Sequence, residues 1–137
     1  MPNPSSTTTV TVTTALPTLA EYVADPSRRQ EALEEREALD ERFAHVEPPA
    51  DAITVYAWDE HRDGTVDRAF AGAEWTVTPT IHVSIWGTQT SDGRVTDRHV
   101  SVYISNKGFD PGALDAAGSR RFAEALAAAA DELDAAC

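Results

Sequence analysis

Cysteine is all but missing. Cys137 is the only one, which excludes an internal disulfide and leaves no set of thiolates for a metal or redox motif. Lysine is nearly as scarce: of the 11 basic residues, all but Lys107 are arginine. No apolar run approaches the roughly 20 residues that span a bilayer, so no membrane span is expected. The opening MPNPSSTTTVTVTT has neither a basic region nor an apolar stretch, so a secretory signal is not expected and a cytoplasmic setting is the default. There is no nucleophile elbow, no glycine-rich phosphate loop and no zinc-ligand spacing. No repeat of the solenoid kind occurs. Hydrophobic residues make up 42% of the 137, many of them alanine, which allows one domain with a modest core.

Acid is what the chain has in excess. Its 23 Asp and Glu give a net charge of −12. Such a surface repels phosphate backbones and disfavours direct nucleic-acid binding. Three readings of the acidity stand side by side: solubility in an Ala/Arg-rich proteome of high genomic GC content, adaptation to high salt, and mimicry of DNA by ordered carboxylates. The third rests on Glu31, Glu34, Glu35, Glu37, Asp40 and Glu41, all within one expected helix.

The clearest structural signal is TIHVSIWGTQTSDGRVTDRHVSVYIS, Thr80 to Ser105. Ile81, Val83 and Ile85 alternate with polar or aromatic residues, as do Val100, Val102 and Ile104, which is the period of half-buried strands. Asp92-Gly93 between the runs predicts a type I′ turn, for which both central residues need φ > 0. A two-residue turn there sets Ile81 against Ile104, Val83 against Val102 and Ile85 against Val100. Every apolar residue then meets another, and a one-residue slip would break this.

Elsewhere, residues 1–16 read as a mobile tail, poor in apolar surface, with a short edge strand around Val10 and Val12 as the competing reading. Residues 17–47 read as an N-terminal acidic helix pair. Thr18 and Glu21 form a capping box for Leu19 to Ala24, and Asp25-Pro26 starts a second helix that runs to about His45, before Pro48-Pro49. Its apolar residues, Ala32, Leu33, Leu39, Phe43 and Val46, make a thin stripe. Residues 52–137 read as an α+β domain. Ala52 to Asp59 is a strand with Tyr56 and Trp58 on one face, and an Asp63-Gly64 turn would place Ala57 opposite Phe70 and Asp59 opposite Arg68. Gly72 marks a bulge or bend. Asp115 caps a last helix to about Ala136, whose Phe122, Leu126, Ala129 and Leu133 can cover the sheet. The expected fold is an antiparallel β-meander of three to five strands with a C-terminal helix on one face.

Two surfaces are candidates for function. The sheet face opposite Ile81 and Val83 would collect Tyr56, Trp58, His82, Trp86, His99 and Tyr103, a composition suited to recognition and equally to plain cross-strand pairing on a solvent face. The helix from Pro26 to His45 could self-associate through Leu33, Leu39 and Phe43. For an enzyme, the best candidates are His82, His99 and Asp97, but they include no nucleophile with a base and an orienting group. Neither metal ligands nor a cofactor site is expected.

The C-terminal part, His99 to Ser105 followed by Leu114 to Leu133, resembles the end of many small uncharacterised proteins of actinobacteria and their phages. Leu114, Arg120, Ala123, Leu126, Ala130, Asp131 and Glu132 match the helix of that group, whereas Asp115, Ala116 and Phe122 depart from it. The resemblance covers about a quarter of the chain. It implies an origin and a sheet-plus-helix fold, and it brings no catalytic residues with it. The expectation for function is therefore a small acidic protein-binding or regulatory module with a protein partner, a homodimer being the simplest. The alternatives are a DNA-mimic inhibitor of a DNA-binding protein and an enzyme with a histidine-based site.

Overall fold

A computed structural model describes residues 10–13, 25–105 and 113–137. Six strands, β1 (Thr11–Thr13), β2 (Thr54–Tyr56), β3 (Asp59–Glu60), β4 (Val66–Thr78), β5 (Ile81–Thr90) and β6 (Val95–Ile104), form one sheet in the order β1-β2-β4-β5-β6, with β3 also paired to β4. Strands β2 to β6 are antiparallel, and β1 joins β2 in parallel. Two helices complete the fold, α1 (Pro26–Arg42) and α2 (Ala116–Ala136). This is the expected α+β meander with a C-terminal helix on one face. Of the expected N-terminal helix pair, α1 is present, and Leu19 to Ala24 lie outside the described residues.

The hairpin of β5 and β6 keeps the register read from its alternation. Ile81 faces Ile104, Val83 faces Val102, Ile85 faces Val100, and the pairing runs unbroken to Thr88 and Asp97. The turn is a different one. Only Gly93 has positive φ (91°), and Asp92 does not. Gly93 N donates to Thr90 O (2.9 Å) and Thr90 N donates to Arg94 O (2.8 Å), so Ser91-Asp92 make a type I turn and Gly93 a left-handed bulge. The extra residue shifts the register at Gln89 and Val95. Asp92 stabilises this turn by accepting from Thr90 Oγ1, Arg94 N and Arg94 Nε.

The same chemistry at His61 to Gly64, with Gly64 at φ 84°, corrects the first hairpin. Asp59 faces Asp67 rather than Arg68, and Val55 rather than Ala57 faces Phe70. The inserted turn residue and a break after Tyr56 separate β2 from β3. Freed from the strand, Trp58 turns to the core side and is only 4% exposed. Within the segment read as a tail, Thr11–Thr13 follow the competing reading and form an edge strand, while residues 1–9 and 14–16 lie outside the described residues. A parallel partner needs a long crossover, and the chain from Thr14 to Ile53 supplies it. The bulge expected at Gly72 is there, as a register shift between Ala71 and Glu74.

The core lies on one side of the sheet in two parts. Under α2, Val77, Ile81 and Val83 pack with Ala125 and Ala129, flanked by Trp75, Val100, Leu114 and Phe122. Ala125 takes the place expected for Leu126, which faces outward, so the helix approaches through alanines. Asp115 caps α2 through Gly118 N (2.7 Å). The second part is Ala52, Val55 and Phe70, with Val10 and Val95. Arg98 ties the two parts together. Its guanidinium makes a two-pronged ion pair with Asp51 (2.8 and 3.0 Å) and donates to Ala136 O (3.2 Å).

Candidate interaction face

Alternation along β4, β5 and β6 sends every second side chain to the face opposite α2. Asp67, Glu74 and Thr76 come from β4, His82, Ser84 and Trp86 from β5, and Asp97, His99, Ser101 and Tyr103 from β6. β2 adds Tyr56. Both arginines within these three strands, Arg68 and Arg98, lie on the other face. On this face β4, β5 and β6 therefore carry three carboxylates and no arginine or lysine.

Its centre is aromatic. Tyr56 and Trp86 stack with centroids 5.3 Å apart and planes 20° from parallel. The Trp86 indole donates to Ser84 Oγ (2.9 Å), which fixes the ring against the sheet. His82 and Tyr103 pair across the strands at 6.3 Å, and His99 is the cross-strand neighbour of Trp86. Of the six residues expected on this face, the structure brings five together. Trp58 is absent from it, because it is buried on the core side between Phe43 (5.2 Å) and the Arg68 guanidinium (4.4 Å).

Each histidine near this face has a carboxylate partner. His82 Nδ1 meets Glu74 Oε1 at 3.0 Å, His99 Nδ1 meets Asp97 Oδ2 at 2.9 Å, and His61 Nε2 meets Asp67 Oδ1 at 2.9 Å. The hydrogen bond that His61 donates to Asp67, and then the charge of that carboxylate, hold the His61 pKa above the ordinary imidazole value. Thr76 Oγ1 also reaches His82, at 3.3 Å, but on the same Nδ1 as Glu74. A nucleophile relay needs hydroxyl and carboxylate on opposite ring nitrogens, so this trio lacks that geometry. Asp97 and His99 do pair, with no described hydroxyl hydrogen-bonded to that ring. Among the described residues no three His, Cys, Asp or Glu side chains converge on one point.

On the core side lies a polar group that sequence reasoning missed. Arg68 (7% exposed) donates to Gln89 Oε1 (2.9 Å) and Val46 O (3.2 Å), and Gln89 Nε2 donates to Glu47 O (2.8 Å) and Gly93 O (3.2 Å). Burial pushes the Arg68 pKa down, while Asp40 opposes this from a distance. The network pins the segment after α1 onto the hairpin. The only sequence signal was position: Arg68 and Gln89 alternate in phase with Phe70 and Ile85.

α1 starts at its Asp25 cap, which accepts from Ser27 N (3.1 Å), and buries no residue fully. Leu39 is half-buried and Phe43, just past the helix end, rests on Trp58. Leu33 is about a third of a turn from Leu39 and exposed, so the three residues do not line one free stripe. Between α1 and β3 runs a cleft of about 690 Å³ lined by Ala32, Arg36, Leu39, Trp58 and His61 among others. No described helix is long and apolar enough to cross a membrane. No family model, no curated protein and no solved structure matches this chain.

Proposed function

We propose that this protein is a cytoplasmic protein-binding or regulatory module whose open sheet face receives a basic protein surface. The observation that carries this reading is the composition of that face. Stacked Tyr56 and Trp86 share the face with Glu74, Asp67 and Asp97, and β4, β5 and β6 place no arginine or lysine there. An arginine or lysine side chain laid over the rings gains cation–π attraction, and the carboxylates complete its charge pairing. The net charge of −12 steers such a partner toward the protein from a distance. No part of the reading needs catalysis.

The test is calorimetric titration with a short arginine-rich peptide. Trp86→Ala and Glu74→Gln should each weaken binding by about three- to thirty-fold. Glu37→Gln on α1, which removes the same charge, should leave it unchanged. Equal losses from Glu37→Gln and Glu74→Gln would reduce the effect to bulk acidity. A loss confined to Glu37→Gln would favour the row of carboxylates on α1, as the DNA-mimic alternative requires.

A further inference from the structure

β6 ends the sheet: β5 pairs with one side of it, and no described strand pairs with the other. Ser105 N donates to Thr80 O (2.8 Å), which sets the phase of the ladder. His99, Ser101 and Tyr103 therefore turn their backbone groups toward β5, and Val100, Val102 and Ile104 turn theirs outward. The side chains there are open too: Val102 is 43%, Tyr103 60% and Ile104 45% exposed. Proteins blunt such edges with lysine, proline, a bulge or shortness. The edge strand β1 has three residues, but β6 has ten. From His99 to Ser105 it carries no lysine, arginine, carboxylate, proline or glycine, and its register with β5 is unbroken there.

We infer that β6 pairs antiparallel with β6 of a second copy across a two-fold axis, joining two sheets into one. The occupant is a second copy because the segment is its own complement. An axis through Val102 sets Val102 against Val102 and Val100 against Ile104 on the α2 side, and Ser101 against Tyr103 on the other. Every apolar residue meets an apolar one. Within each copy the flanking Arg98 is paired with Asp51, and Asp97 is hydrogen-bonded to His99. Closed two-fold symmetry stops the assembly at two. The two open faces then become continuous through Tyr103. This pairing stands independently of what those faces bind.

Sedimentation of the full chain over a range of concentrations, with amide hydrogen exchange, tests it. The expected result is a dimer in which the Val100, Val102 and Ile104 amides are protected, with protection growing with concentration. Val102→Lys places a charge on the half-open edge and should weaken the dimer at least tenfold while the monomer stays folded by circular dichroism. Leu39→Glu with Phe43→Glu should leave self-association intact. Raising NaCl should tighten the dimer, because two copies of net charge −12 repel. A monomer at every concentration and salt would overturn the inference. So would a dimer that leaves those three amides unprotected, one that loosens as salt rises, or one lost in the α1 variant and retained in Val102→Lys. If Val102→Lys fails to fold, the exchange pattern of the wild type decides alone.

Discussion

Gly87 is where the smallest change meets the least room. It sits opposite Phe70, and a Cβ there would fall 2.4 Å from the ring and 2.5 Å from Asp97 O. The ring of Phe70 lies over the space that a side chain would fill, and Arg98 sits over the same ring at 5.7 Å. Gly87→Ala should therefore destabilise the domain by about 1–3 kcal/mol through overpacking, measurable as a lowered midpoint in urea. An unchanged midpoint would mean that Phe70 can move aside. Nothing local in the sequence marks this glycine, because the clash comes from a residue on another strand. Arg68 and Gln89 were hidden for the same reason. A polar residue on a core-facing position reads as an interruption until the carbonyls of Val46, Glu47 and Gly93 are brought to it.

At the scale of elements, turns and helices differ in how much of them is local. Both Asp-Gly turns form where the dipeptides stand. Each uses one left-handed glycine after a type I turn rather than two positive-φ residues; this moves the pairing of the first hairpin by one residue, whereas in the second a register shift between Thr88 and Gln89 restores the pairing beyond it. Gly93→Val should cost about 1–2 kcal/mol because a β-branched residue resists positive φ, whereas Gly93→Asn should cost less. Chemical denaturation of the two variants checks the ranking, and equal losses would show that φ is not the constraint. The helix starts were legible as Asp25-Pro26 and Asp115, since a cap depends on residues two or three apart. The buried face of α2 was less so. Alanine and leucine both satisfy a helical stripe, and the close approach of the sheet selected Ala125 over Leu126.

For the whole molecule, the net charge of −12 is spread over a small domain whose compact state gathers like charges. Salt should therefore stabilise it. In the Val102→Lys variant, chosen to weaken the proposed self-association, moving from 10 to 150 mM NaCl should raise the melting temperature by several degrees, equivalent to about 1 kcal/mol. A melting temperature that falls with salt would mean that ion pairs such as Asp51–Arg98 outweigh the repulsion.

What the sequence determined by itself is what depends on neighbours and alternation: the caps, the Asp-Gly turns, the period of β5 and β6, and hence their register and the placing of His82, Trp86, His99 and Tyr103 on one face. Alternation suffices there because a strand has only two sides. The tertiary structure alone decided the rest. It took Trp58 off that face, since a tryptophan released from a strand gains more by burial against Phe43 and Arg68 than by exposure. It gave Thr11–Thr13 a partner in β2, supplied Asp67 and Glu74 to their histidines, and left the outer side of β6 without a described neighbour. Each of these depends on which elements meet, and contacts between distant parts of the chain leave no periodic trace in it.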